Sequence, residues 1–90
     1  MRTLYLPMKG IYFDQIKSGE KVSEFREVKP IWEKRLEGRE YDQIVLTRGY
    51  PKKGDPERTL VRPWRGCKRT WINHPHFGPQ DVEVYAIRVN

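Results

Sequence analysis

Between Gly19 and Arg26 the chain sets an amine, a carboxylate and a guanidinium within eight residues: Lys21, Glu24 and Arg26 in Gly-Glu-Lys-Val-Ser-Glu-Phe-Arg. An amine can act as base, nucleophile or phosphate contact. A carboxylate can orient a guanidinium or carry a proton, and the planar guanidinium fork grips oxyanions in two places. If Val22 to Val28 is a strand, side chains alternate, and Glu24 and Arg26 project from one face beside the two valines. Such a face is partly dry, so the two charges need each other: an unpaired buried charge is costly or changes its protonation state. Lys21 sits at the mouth of the strand, and parity leaves its direction open. The same residues also suit a structural ion pair with a solvated lysine, because structural pairs crowd charges together as active sites do.

A second group of candidates lies in Asn73-His74-Pro75-His76-Phe77-Gly78-Pro79. His74 and His76 could serve as general acid and base in RNA cleavage, since imidazole titrates in the right range. They could equally cap backbone groups in a loop that Pro75 stiffens. With Cys67 they could hold zinc, but zinc sites have better-defined ligand pairs, and neither a metal nor another cofactor is expected. Tyr12 and Trp32 lie at helical spacing and read as packing residues, and Cys67 as a small buried hydrophobe.

The elements that must position these groups follow from pattern. Leu4-Tyr5-Leu6 before Pro7 reads as a first strand. Gly10 to Ser18 carries Tyr12 and Ile16 four apart and Phe13 and Ile16 three apart, one face of a helix that Gly19 stops. The Lys21 segment follows as the second strand. Pro30 to Leu36 is a second short helix, opened by proline and ended by Gly38. Ile44-Val45-Leu46 is an unbroken apolar run, expected to be covered on both sides. Lys52 to Glu57 has the composition of an exposed loop, and Arg58 to Arg62 and Gly66 to Ile72 are strand-like pieces separated by a kink at Pro63. The histidine segment reads as an extended loop. Val82 to Val89 is apolar on both faces and should be a central strand. The fold class is α+β: a small curled sheet or β-barrel of five to six strands, closing its edges, with two short helices inserted near the N-terminus.

Ninety residues are expected to form one domain, spanning 1–90, with a single core. The net charge of +6 is unevenly distributed. From Thr47 to Ile72 eight basic residues (Arg48, Lys52, Lys53, Arg58, Arg62, Arg65, Lys68, Arg69) face two acidic ones, Asp55 and Glu57, which accounts for the whole excess. Concentrated positive charge attracts polyanions, and Tyr50, Trp64 and Trp71 interleaved with it suit stacked bases on a single strand. The opposing reading makes the tryptophans core and the arginines a solvated surface. The lone Cys67 cannot form an internal disulfide and no leader pattern opens the chain, so a reducing cytoplasm is the expected compartment. No apolar run approaches the roughly 18 residues of a membrane span. A monomer is the default.

Gly19-x-Lys21-x-x-Glu24-x-Arg26, after a short helix and at the start of a strand, resembles the signature of the ASCH (activating signal cointegrator homology) family. The rest of the chain is similar to its small stand-alone bacterial and phage members in element order and in three segments: Thr47-Arg48-Gly49-Tyr50-Pro51, Arg62-Pro63-Trp64-Arg65-Gly66 and His74 to Pro79. The resemblance implies a fold like that of PUA domains, with a cleft between barrel and first helix in which Lys21, Glu24 and Arg26 gather. It implies an RNA or nucleoside-like ligand, with Lys21 and Arg26 on phosphate and Arg48, Tyr50, Trp64 and Arg65 guiding or stacking the strand. Family members include RNA-binding modules, ribonucleases of single-stranded RNA, and a bacterial branch that hydrolyses the amide of N4-acetylcytidine. In that branch a lysine corresponds to Lys21, a threonine stands at the place of Glu24, and a later glutamate completes the triad. Here Glu24 replaces the hydroxyl, Ser23 falls on the opposite strand face, and no glutamate lies between Glu57 and Glu83. The two expectations are an RNA-binding module with possible metal-independent ribonuclease activity, and a nucleoside amidohydrolase with Lys21 as base or nucleophile and Glu24 as proton carrier.

Overall fold

Strand and helix alternate first, and strands follow: β1 (Thr3–Met8), α1 (Gly10–Lys17), β2 (Ser23–Glu27), α2 (Pro30–Leu36), β3 (Gln43–Arg48), β4 (Thr59–Pro63), β5 (Cys67–Ile72) and β6 (Val82–Arg88). Single 3-10 turns occupy Pro56–Arg58 and Pro75–Phe77. The computed structural model describes residues 1–52 and 55–90. Lys53 of the basic stretch and Gly54 of the loop after it lie outside the described residues.

The six strands form two open three-stranded sheets, ordered β1-β3-β4 and β2-β6-β5. β1 and β3 run parallel, with Leu4 beside Ile44 and Leu6 beside Leu46. Parallel neighbours need a long crossover. Here it carries α1, β2 and α2, so the lysine–glutamate–arginine segment returns between the sheets. The core joins Leu4, Leu6, Met8, Ile44 and Leu46 of the first sheet to Tyr85 and Ile87 of the second, with Phe13 and Ile16 from α1 and Leu36 from α2. Helices of eight and seven residues are not stable in isolation. These two are held by the apolar side chains they bury, each contributing roughly 1.5–3 kcal/mol.

Several expectations change at this point. The sheets are open, with β1, β4, β2 and β5 at edges, so the described ladders do not close a barrel. β3 is central, but only Ile44 and Leu46 are buried; Val45 lies between Tyr5 and Val61 on an outward face where both neighbours are more than half exposed. β1 runs through Pro7 to Met8, because an edge strand needs no ladder donor on its free side. Val22 is exposed rather than dry, while Val28 packs on the core. The histidine segment is turned, not extended, because the His74 side chain accepts from the His76 N–H and starts a 3-10 turn. β6 is the central strand of its sheet, as its two apolar faces suggest. Among the described residues no helix is long and apolar enough to cross a membrane.

Candidate functional site

The end of α1 sets the position of Lys21. Ser18 N–H bonds the Asp14 carbonyl, Gly19 turns the chain at φ 87°, and Lys21 N–H reaches back to the Gln15 carbonyl at 3.0 Å. The Asn90 side-chain amide closes the corner, donating to both the Ile16 and Lys21 carbonyls at 2.8 Å. β2 then carries Glu24 opposite Ile87 and Arg26 opposite Tyr85, so both charged side chains leave the strand on its core side. Glu24 is 5% exposed, the one charged residue among the buried set.

Its two oxygens have different partners. Oε2 accepts from Arg26 Nη2 at 2.9 Å, and Oε1 lies 3.9 Å from Lys21 Nζ. Arg26 Nη2 also donates to the Pro7 carbonyl at 2.8 Å, tying β2 to β1 across the two sheets. The Arg26 guanidinium lies 4.9 Å from the Trp32 ring centre, and its Nε is buried with no protein acceptor. The ammonium of Lys21 stands 4.4 Å from the Phe25 ring and 5.3 Å from that of Tyr12. Burial lowers the Lys21 pKa from its usual value, and the Glu24 charge opposes that shift. With a long contact to Glu24 and aromatic faces on its other sides, Lys21 is a desolvated amine whose proton is held less firmly than usual.

These groups line a cleft of about 710 Å³ bounded by Pro7 to Lys9 of β1 and its exit, Tyr12 of α1, β2, Lys29, Trp32 of α2, Gly49-Tyr50 and the His74-to-Phe77 turn. That volume lies in the range of sites for small organic ligands. Its lining charges are four cations (Lys9, Lys21, Arg26, Lys29) against two carboxylates (Glu24, Glu27). The histidines form one edge. His74 and His76 meet the Tyr12 ring edge-on at 5.8 and 5.6 Å, and because His74 Nδ1 accepts the His76 N–H, the proton of its neutral ring lies on Nε2.

No family model, curated protein or solved structure matches the chain. Chemistry must therefore be inferred from the atoms themselves.

Of the candidate residues read from sequence, Lys21, Glu24, Arg26, Tyr50, His74 and His76 line this cleft. Tyr50 is 92% exposed at its rim. Arg48, Trp64 and Arg65 do not line it. Arg48 turns to Asp14 at 3.3 Å on the outer side of α1. Trp64 packs on the core with its ring edge-on to Tyr41 at 5.2 Å, so it is no platform for a strand in the cleft. Arg65 is exposed elsewhere. The basic stretch from Thr47 to Ile72 contributes only Gly49 and Tyr50 to the lining, and Arg58 and Arg69 are engaged by acidic partners, Asp55 for the first and Glu37 and Glu83 for the second. Cys67 lies on β5 opposite Ile87, away from the histidines, and among the described residues no three His, Cys, Asp or Glu groups gather as metal ligands.

Three aromatic walls were not singled out as ligand contacts from sequence. Tyr12 and Trp32 do pack on the core as their spacing suggests, and they also face the cleft. The available signal was position: each stands in the first turn of a helix adjoining the charged strand. Phe25 falls opposite Glu24 by parity, yet lines the same space because β2 is an edge strand and the cleft extends around its edge.

Proposed function

We propose that the chain is an RNA-binding protein of the ASCH type, with its sheets arranged as in PUA domains, that holds one nucleotide of a single strand in the Lys21 cleft within a reducing cytoplasm. The observation that carries this reading is the convergence of Lys21, Glu24 and Arg26 on the floor of a nucleotide-sized, net positive cleft whose walls are Tyr12, Phe25 and Trp32. Aromatic faces receive bases, and cations receive phosphate. Glu24 keeps Arg26 oriented and has acceptor capacity left for a base amino group. The unpartnered Arg26 Nε is a donor left unused by the protein, at a cost of about 1–3 kcal/mol that a ligand oxygen would relieve. Tyr50 at the rim suits a neighbouring base.

One observation favours a second reading, hydrolysis. The lowered pKa of Lys21 suits a proton acceptor, either for a 2′-hydroxyl in strand cleavage or for attack on a nucleoside amide, with Glu24 relaying the proton. The test incubates wild type and Lys21→Ala with labelled single-stranded RNA at low and moderate salt, following binding and strand integrity together. Intact RNA bound in a Lys21-dependent, salt-sensitive way supports the recognition module. Cleavage lost in the variant makes Lys21 catalytic, while tight binding of a free modified nucleoside without any oligomer binding supports the amidohydrolase.

A further inference from the structure

A second groove, of about 340 Å³, lies on the outer side of α2 between Ile31, Lys34, Arg35, Arg39 and Tyr41. Helical spacing explains how it becomes basic although Glu33 to Glu40 is balanced in charge. Ile31, Lys34 and Arg35 are three and four residues apart and share one face, whereas Glu33 and Glu37 share another, and Glu37 is drawn to Arg69 on β5. The acids thus leave the groove, and the cations remain in it. Among the described residues, none of Lys34, Arg35 and Arg39 is paired with a carboxylate.

The groove is also ordered by its own bonds. Arg39 Nε donates to the Lys34 carbonyl at 2.8 Å, and the Tyr41 hydroxyl donates to the Arg35 carbonyl. Both ends of the guanidinium fork of Arg39 stay available. Arg35 lies 5.3 Å from the centre of the Trp32 ring, the same ring that Arg26 approaches from the cleft at 4.9 Å. Trp32 is therefore a shared wall: the cleft lies on one side of it, and the three free cations lie beyond.

We infer that this groove binds the phosphodiester backbone of nucleotides adjoining the one in the cleft, so that a single strand passes over Trp32 from Arg26 to Arg35 and on to Lys34 and Arg39. The inference rests on the RNA-binding reading and gives it a direction. The strand leaves along α2, and the basic stretch around Arg65 and Lys68 is not its path. Planar guanidinium groups suit this role because they contact phosphate bidentately and stack as well.

The experiment compares wild type, the triple variant Lys34→Ala, Arg35→Ala, Arg39→Ala, the single charge reversal Arg35→Glu, and the control Lys68→Ala, each checked for folding by circular dichroism. Binding is measured against single-stranded oligonucleotides of about three and about ten residues, in ribose and deoxyribose forms, over a range of salt. The expected result is about tenfold or greater loss of affinity for the longer strand in the triple variant at moderate salt, and a salt slope shallower by about 0.7 for each phosphate no longer neutralised. The short oligonucleotide and the Lys68→Ala control should be unaffected, and Arg35→Glu should weaken the longer strand alone. An equal loss on deoxyribose strands assigns the groove to the phosphodiester in general, and a loss confined to ribose strands assigns it to RNA; either supports the groove. Unchanged affinity and slope in a folded triple variant, with binding still dependent on Lys21, overturns the groove while leaving the cleft intact. If wild type binds no oligonucleotide, both fall.

Discussion

At the scale of single residues, the decisive feature is that Glu24 is buried between two cations that it does not hold equally. The 2.9 Å contact to Arg26 is a hydrogen-bonded pair; the 3.9 Å contact to Lys21 is a Coulombic one. Glu24 raises the Lys21 pKa against the larger lowering by burial, so Glu24→Gln should lower it further. NMR titration of the Lys21 amine reads this directly, and a rise in the variant would contradict the electrostatics described. The sign for stability follows. A folded value below the usual 10.5 means that, as pH approaches 10.5, the unfolded chain holds more protons at this site and stability rises. Below the folded value the penalty for burying the ammonium is present in full. In urea titrations of wild type against Lys21→Met, the wild type should show an extra gain in stability across that window; equal slopes would show that burial does not perturb the amine. Glu24→Ala leaves two desolvated cations without their counter-charge and should cost about 3 kcal/mol, the lower end for a buried pair because Arg26 keeps the Pro7 carbonyl. A loss under about 0.5 kcal/mol, the usual size of a surface substitution, would mean the pair is more solvated than its burial indicates.

At the scale of elements, the site depends on a corner joining α1 to β2. Asn90→Ala removes two donors from the Ile16 and Lys21 carbonyls and should destabilise the fold by about 1–2 kcal/mol while weakening ligand binding through Lys21. Denaturation and binding of the same variant check both parts, and a stable variant with wild-type binding would show that the corner holds without this tie. Gly19→Ala meets no atoms within 4 Å but must adopt φ 87°, so its cost, about 1 kcal/mol, is backbone strain alone. Sequence reading succeeded where local chemistry decides. Pro30 at the first helical position and the apolar faces of Val82 to Val89 mark elements that recur in the structure almost residue for residue. It fell short where distant partners decide. Whether Val45 is covered depends on what packs outside Tyr5 and Val61, and the open sheets depend on β1 pairing with β3 across the whole α1-β2-α2 crossover. The His74 turn was missed because a side chain, not backbone propensity, starts it.

For the molecule as a whole, charge and site are separable. The +6 excess of Thr47 to Ile72 is legible in the sequence, yet its members turn to Asp14, Asp55, Glu37 and Glu83 or to solvent, and the cleft draws its cations from earlier in the chain. A general positive field still attracts polyanions at low ionic strength. Wild type and Lys21→Ala should therefore bind single-stranded RNA similarly at low salt and diverge as salt rises and screening removes the unspecific part. Parallel binding curves at every salt concentration would place recognition outside the cleft. The most direct measurement of the central claim is an amide chemical-shift titration with a short single-stranded RNA. The account predicts that perturbations concentrate at Lys21 to Glu27, Gly49-Tyr50 and His74 to Phe77, the backbone that surrounds the cleft. Perturbations confined to Arg58 to Arg69, with the Lys21 segment silent, would contradict it.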